Sequence, residues 1–423
     1  MRTIAPARLA LLGAAAALLV STSCGSIDQS TPATPSGVPG SAIAEMQAAR
    51  DGIHRFTERF NQEMASQDAA NTVYSPLSIA TAFAMLRAGA GDATAEQLDA
   101  LFGYPASGAA PAYGDLLDAI GTTSEPPEPT DPGATRGSDE APAPTIVALA
   151  QGLFVAEDLD LGGEFTETLA AHFEARPEQV DFASSDAVQA LNDWASDNTA
   201  GRITEMFDQL DPATVAVLAN ATYMKAEWQV QFSENETSDE EFTRPGGATV
   251  TTPMMNKQNA RVRHVETPGW TAIALPYRGD ELVLWLALDP SDETVPPPAV
   301  TEAMLEELAR GGTERSAQVA LPRFRIDTTT GLLDTLDRIG LTDLGGLDAI
   351  SPGFTLSDAV HRATITVDEA GTEAAAVTGL AGVTSMPPQS QITFRADQAF
   401  AFVLMHQPTG TPLFTGTITD PTG

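Results

Sequence analysis

Cysteine is almost missing from this sequence: Cys24 is the only one in 423 residues. A lone cysteine excludes an internal disulfide and a thiolate metal cluster, so the folded part must draw its stability from burial. Positive charge is scarce too, with 22 Lys and Arg against 57 Asp and Glu and a formal charge of −35. That balance argues against nucleic acid or anionic lipid as a partner and for a soluble, self-repelling surface, and it leaves the fold open. The signatures of catalysis are absent as well. There is no Gly-x-Ser-x-Gly elbow, no His-Glu-x-x-His, no phosphate-cradling glycine loop and no dinucleotide fingerprint. The five histidines, His54, His172, His264, His361 and His406, are widely separated, and none stands four residues from another as a helical metal pair would. A Ser-His-Asp triad dispersed along the chain would leave no such signature. The expectation is a protein that is not an enzyme and holds neither metal nor cofactor.

What is present begins with export. Arg2 and Arg8 precede an apolar run at residues 9–20, too short for a permanent membrane span, and small residues lead to Cys24. Residues 1–23 are expected to be an export signal. Ser21-Thr-Ser-Cys24 resembles a bacterial lipobox, with Ser21 where leucine is usual. On that reading Cys24 carries lipid, which excludes it as a nucleophile and anchors the protein on the outer side of a bacterial membrane; ordinary secretion is the alternative. Residues 24–41, rich in Ser, Thr, Pro and Gly, read as a flexible tether, because such a composition cannot bury enough surface to order itself. Residues 121–144 form a second such stretch, acidic and proline-rich, better read as a solvated insertion than as a binding element. The remaining domain, residues 42–423, is long for one core yet within the range of a single domain.

Within that domain, Ile43, Met46, Ile53, Phe56, Phe60 and Met64 recur close to a helical period over residues 42–65. Helices are also expected at 78–87, 165–173, 187–198, 298–310 and 330–339. The β-branched and aromatic runs at 146–155, 214–225, 272–276 and 282–288 read as buried strands. No internal repeat and no regular βαβ alternation is visible. The fold class is therefore mixed α/β of the α+β kind, with helices packed around antiparallel sheets.

One segment behaves oddly. Residues 363–367 alternate as a strand does, and after Gly371 the alternation continues. Thr372, Ala374, Ala376 and Thr378 form one face, small and uncharged, while Glu373, Ala375 and Val377 form the other. A strand with so small a face could slide between two neighbours in a crowded sheet. A loop-like stretch rich in Gly, Ala, Ser, Pro and Gln follows at 379–391. Thr372 capping a short helix, or plain linker, fits the composition equally well.

These residues resemble the proximal hinge of the serpins, and the likeness runs over nearly the whole domain. Asn71-Thr-Val-Tyr-Ser-Pro-Leu-Ser with Gly89-Ala-Gly-Asp-Ala-Thr-Ala-Glu-Gln-Leu is similar to the family's N-terminal block. Leu218-Ala-Asn-Ala-Thr-Tyr-Met-Lys-Ala-Glu-Trp228 is similar to the third strand of its main sheet. Pro253-Met-Met, Leu321-Pro-Arg-Phe, residues 332–340, and Phe394-Arg-Ala-Asp-Gln-Ala-Phe400 with Phe414-Thr-Gly-Thr-Ile-Thr-Asp-Pro421 follow in the family's order. The resemblance implies a serpin fold, about nine helices around three β-sheets with an exposed reactive-centre loop, here residues 369–393. It implies suicide inhibition of a serine protease: the loop is cleaved, the acyl-enzyme forms, and the hinge inserts as a new central strand of a metastable sheet.

Carried over residue by residue, the resemblance makes Glu369 and Gly371 the opening of the hinge and gives Thr372, Ala374, Ala375, Ala376 and Thr378 to the inserting strand. Ser75, Ser78, Asn220 and His361 match a buried polar network beneath the insertion point, and Trp228 matches the tryptophan at its upper end. The reactive bond is expected sixteen residues past Glu369, at Ser385-Met386, with Thr384-Ser385 as the alternative. Pro387 argues against cleavage after Met386, since a leaving-side tertiary amide has no N–H. With no Arg or Lys between Glu369 and Gln391, an elastase-like or subtilisin-like protease is favoured as partner and a trypsin-like one disfavoured. Chymotrypsin-like and cysteine proteases are lesser options. The protein is expected to be a monomer, touching membrane through lipid on Cys24 only. Three positions depart from the pattern: Ala399 stands where proline is usual, Gln151 where asparagine is, and Val377 is bulkier than the common hinge residue. The first two are expected to touch packing rather than mechanism, the third to slow insertion at most. The competing reading is a non-inhibitory serpin-fold binding or structural protein, whose hinge would tolerate charge or bulk on the face that Thr372 begins.

Overall fold

The computed structural model describes residues 40–66, 71–122, 145–372 and 391–422. The helical spacing near the start of the domain does form a helix, α1 (Gly40–Ala65), with Met46, Ile53, Phe56, Phe60 and Met64 buried along one side. After it come β1 (Thr72–Tyr74), α2 (Pro76–Arg87), α3 (Asp92–Phe102), α4 (Ala109–Ile120), β2 (Ile146–Ala156), α5 (Gly163–His172), β3 (Glu178–Val180), α6 (Ala187–Asn198) and β4 (Ala216–Glu227). The second half runs β5 (Ser238–Thr243), β6 (Thr249–Thr267), β7 (Trp270–Pro276), β8 (Leu282–Leu288), α7 (Glu302–Ala309), β9 (Thr313–Pro322) and β10 (Phe324–Gly331). It ends with α8 (Leu332–Arg338), β11 (Asp358–Val367), β12 (Gly371–Thr372), β13 (Ile392–Arg395), β14 (Phe400–His406) and β15 (Thr411–Ile418).

Local chemistry sets several boundaries. Ser75 caps α2 by accepting the N–H of Ser78, and Pro76 occupies the first helical position, where a missing N–H costs nothing. Thr301 caps α7 in the same way through the N–H of Met304, so this helix starts later than residue 298. Helix α8 likewise starts at Leu332, because residues up to Gly331 belong to β10.

The strands make two hydrogen-bonded networks. One has six strands in the order β10-β11-β12-β4-β2-β3. The other has nine, in the order β1-β15-β14-β8-β7-β6-β9-β13 with β5 on β6. Long β6 is irregular between Lys257 and Ala260, and the described residues form two sheets and eight α-helices of the α+β kind, against the three sheets and about nine helices expected. The main core lies between the sheets and α1 to α5, and holds Phe56, Phe83, Leu218, Leu286 and Phe402. Helix α6 covers the outer face of the six-stranded sheet through Leu191 and Ala195. Helix α7 covers the outer face of the nine-stranded one through Met304, Leu305 and Leu308. Strands β8 and β14 are covered on both faces, and all their residues are buried.

Candidate functional site: a hinge between two strands

Strand β11 ends at Val367, turns through residues 368–370 and comes back as β12. The N–H of Asp368 closes the turn on the carbonyl of Gly371 at 3.0 Å. Strand β12 is antiparallel to both neighbours: Thr372 pairs with Val367 of β11 and Ala226 of β4, and Gly371 with Glu227. Gly371 is required by space, since a Cβ there would stand 2.1 Å from the carbonyl oxygen of Ala226. Thr372 is 1% exposed, and its hydroxyl bonds that of Tyr277 at 2.6 Å. Tyr277 stacks on Trp228 at 4.4 Å. The Trp228 ring N–H donates to the carbonyl of Asp368 at 2.8 Å, and its backbone N–H to that of Ala370 at 2.9 Å. Trp228 thus holds both ends of the turn.

Two carboxylates sit in the turn with different fates. Burial pushes Glu369 up, but Arg323 donates through Nε and a terminal nitrogen at 2.5–2.8 Å and Thr237 adds its hydroxyl at 2.5 Å, so Glu369 titrates below its ordinary value. Asp368 has no such cation to itself. Its Oδ1 accepts the N–H groups of Ala370 and Gly371 at 2.8 and 3.1 Å, yet burial dominates and raises it to about 6.

Lower in the same sheet, one row crosses four strands: Gln151 of β2, Asn220 of β4, His361 of β11 and Thr330 of β10. Ser75 donates its backbone N–H to His361 Nε2 at 3.0 Å. Nδ1 therefore carries the proton and donates to Asn220 Oδ1 at 2.5 Å. Ser78 Oγ donates to the same oxygen at 2.9 Å, while the Asn220 amide donates to the Ser78 carbonyl at 2.8 Å and to Gln151 Oε1 at 2.6 Å. Gln151 closes the ring by donating to Ser78 Oγ at 3.0 Å. Burial lowers His361 to about 3. Both of its ring nitrogens are engaged, which leaves none for a metal or a proton shuttle.

Between β12 and this row, β11 and β4 form the two walls. Strands β11 and β4 pair in parallel only over 358–363 and 217–222. Among the described residues that pairing ends at Ala363 and Thr222, and the pairing of β12 with β4 begins at Thr372 and Ala226. Buried polar atoms collect at the end of that pairing: Thr222 Oγ1, Thr364 Oγ1 and Arg362 Nε have no hydrogen-bond partner there. Each such group costs about 1–3 kcal/mol. The slot is thus closed above by β12 and Tyr277, and below by the His361–Asn220 bond.

The two titrating groups give opposite pH dependences. His361 is depressed when folded, so the unfolded chain takes up the proton first. Its contribution is complete above pH 6.5 and is lost as pH falls toward 3, on the order of 5 kcal/mol in all. Asp368 is raised when folded, so its contribution is present below its ordinary 3.8 and lost as pH rises through 6. The His361 shift is the larger, so the native form should unfold or convert faster as pH falls below 6.5, with Asp368 opposing part of that loss. Asp368→Asn, which keeps the acceptor without the charge, should raise the thermal midpoint at pH 8 and not at pH 4. Melting curves of parent and variant across that range check both statements.

The structure brings together Ser75, Ser78, Asn220 and His361 in one network, and Trp228, Glu369, Gly371 and Thr372 in another. Ala374, Ala375, Ala376, Thr378, Thr384, Ser385, Met386 and Cys24 lie outside the described residues. Gln151 corrects the reading of it as packing only, because it is hydrogen-bonded to both Asn220 and Ser78. Ala399 is simply buried. Tyr277, Thr237, Asp368 and the role of Arg323 were not anticipated. Arg323 lay in the Leu-Pro-Arg-Phe block and offered a signal; Tyr277 offered none.

The chain matches the family model described as Serpin (serine protease inhibitor) over residues 51–421. It is 31% identical over 380 residues to alpha-1-antitrypsin 1-3 of Mus musculus, covering 87% of this chain and 88% of that protein. It is 28% identical to neuroserpin of Homo sapiens over 92% and 93% of the two chains. Among solved structures, human glycosylated kallistatin superimposes with a TM-score of 0.74 at 24% identity, covering 91% of this chain and all of that one.

Proposed function

This chain belongs to the serpin family, and from that premise we propose that it is a suicide inhibitor of serine proteases whose hinge inserts between β4 and β11. Family membership carries serine protease inhibition in general. The insertion mechanism rests on one observation above the others: β12 already occupies the top of the slot, antiparallel to both walls.

Continuing that register sets Ala374 against Met224, Ala376 against Thr222 and Thr378 against Asn220. Those three partners point to the core side of β4, as Ala226 beside Thr372 does, so the small uncharged face of the hinge meets the core. Glu373 falls against Lys225 on the other side. The incoming backbone would supply partners along the slot, and the His361–Asn220 bond must open to admit it. Native metastability is then local: the buried, partnerless side-chain atoms of Thr222, Thr364 and Arg362 above a closed network.

The bait is proposed at Ser385-Met386, with an elastase-like or subtilisin-like target, acting outside a bacterial cell from a lipid on Cys24 or as a secreted monomer. Among the described residues no helix is long and apolar enough to cross a membrane. Incubation with a panel of serine proteases should give an SDS-resistant complex. Cleavage without any complex would instead favour a non-inhibitory member. Ser385→Arg should recruit trypsin, with a complex forming at least tenfold faster than with the parent. The mass of the released C-terminal peptide locates the bond, and indifference to trypsin would place it elsewhere.

A further inference from the structure

Beside the hinge, the chain exits β4 across a shallow groove unlike the rest of the surface. Val230, 53% exposed, is the one large hydrophobic side chain left open among the described residues. It lies in a depression of about 200 Å³ with Trp228, Phe232, Leu275, Lys257 and Arg261 in its walls. Lys257 donates to the carbonyl of Gln231 and stands 5.5 Å over the Phe232 ring. A second depression of about 110 Å³ continues from it past Arg261 to Arg263.

The charge is equally out of place. In a chain of net −35, Lys257, Arg261, Arg263 and Arg278 fall between positions 257 and 278 with Glu266 as the only acid among them. Arg278 pairs with buried Glu227 at 2.9 Å, and Arg261 with Glu314 at 2.6 Å across an exposed strand pair. Asp280, also in the second depression, accepts from Gln229. Arg263 and Arg315 make no ion pair among the described residues. An exposed pair such as Arg261 with Glu314 is weak and leaves the arginine free to exchange partners.

We propose that this groove is a docking site for the acidic surface beside the active-site cleft of the target protease, used before the loop is cleaved. The inference rests on the inhibitory reading above. Chain length brings the two surfaces together. Ile392 pairs with Ala317, which pairs with Ala260 in the groove wall, so two strand spacings, about 10 Å, separate them. Seven residues from Ser385 to Ile392 reach at most ~25 Å. A protease of roughly 250 residues is about 45 Å across, so one held on the loop lies within reach of the groove. The occupant is acidic by complementarity: elsewhere the inhibitor's own charge repels an acidic protein, and here Lys257 and Arg263, which make no ion pair among the described residues, offset Glu236 and Asp280 and lift that repulsion. Val230 supplies the apolar anchor within the cationic rim.

The test uses the whole inhibitor with two subtilisin-type proteases, one of negative and one of positive net charge, each active and as the catalytic Ser→Ala form. For the acidic protease the association rate should fall steeply between 50 and 300 mM NaCl. The double variant R261E/R263E should lower it about tenfold at low salt and flatten that dependence, with the stoichiometry of inhibition unchanged. The neutral pair R261Q/R263Q should fall between, and Val230→Ser should slow association at every salt concentration alike. Rates and salt slopes equal to the parent's in both arginine variants would overturn the proposal. The inactive acidic protease separates the two readings: if it binds the parent and loses affinity for R261E/R263E while the active form gives no covalent complex, docking stands and the trap fails.

Discussion

Replacing Thr372 by arginine is expected to turn the inhibitor into a substrate. The threonine is buried between Ala226 and Tyr277, and its hydroxyl is bonded. A guanidinium there has no carboxylate to meet, and burying it unpaired costs several kcal/mol, so in the native form it leaves the slot and the cost falls on the first step of insertion. Insertion competes with hydrolysis of the acyl-enzyme, and 3 kcal/mol slows a step by about 150-fold. Deacylation then wins: the protease should emerge active, the loop cleaved, and the SDS-resistant complex lost. The companion Glu373→Arg lies on the other face of the alternation and should retain most of the complex. Equal complex yields from Thr372→Arg and the parent would sink the insertion mechanism, and equal losses from both variants would sink the assignment of faces.

That contrast depends on what the sequence could and could not convey. Periodicity located helices such as α1 and α6 and the buried strands β2, β4, β7 and β8, because each satisfies a repeat within its own length. Strand β6 escaped, since its nineteen residues are irregular near Lys257 and half exposed, so no alternation runs through it. The small face beginning at Thr372 could be read as a strand, but not its direction. The turn at 368–370 depends on an aspartate accepting its own backbone N–H groups and on a tryptophan 140 positions away. Tyr277 is likewise invisible, being one aromatic at the end of a strand whose partner is 95 positions distant. Gln151 shows the same limit from the other side. A residue that departs from the usual asparagine looked like packing, yet its longer amide still spans Asn220 and Ser78. Local pattern finds elements; contacts across hundreds of residues decide which of them can move.

Arg323→Ala acts on that second kind of contact, and its expected result is an inhibitor that loses its native form. Glu369 is 5% exposed and would keep the Thr237 hydroxyl and its own backbone N–H, with the Asp368 carboxylate next in the chain. Removing one partner of a buried pair costs about 3–5 kcal/mol. The Arg323 side chain is 44% exposed, so solvent screening brings the figure nearer 2 kcal/mol. The loss falls on the native turn and not on a state in which the turn has already opened, so it lowers the barrier to opening. Conversion to a loop-inserted monomer or to linked chains on warming should then be about 30-fold faster, as a time course on native gels would measure. Arg323→Lys keeps the charge without the forked geometry and should fall between. Acid supplies the internal control. Because Glu369 is depressed when folded, its contribution is present above its ordinary 4.5 and lost as pH falls below it. The gap between variant and parent should accordingly narrow progressively as pH falls below 4.5, and a gap that does not change with pH there would assign the effect to lost packing of the arginine stem instead of to the ion pair.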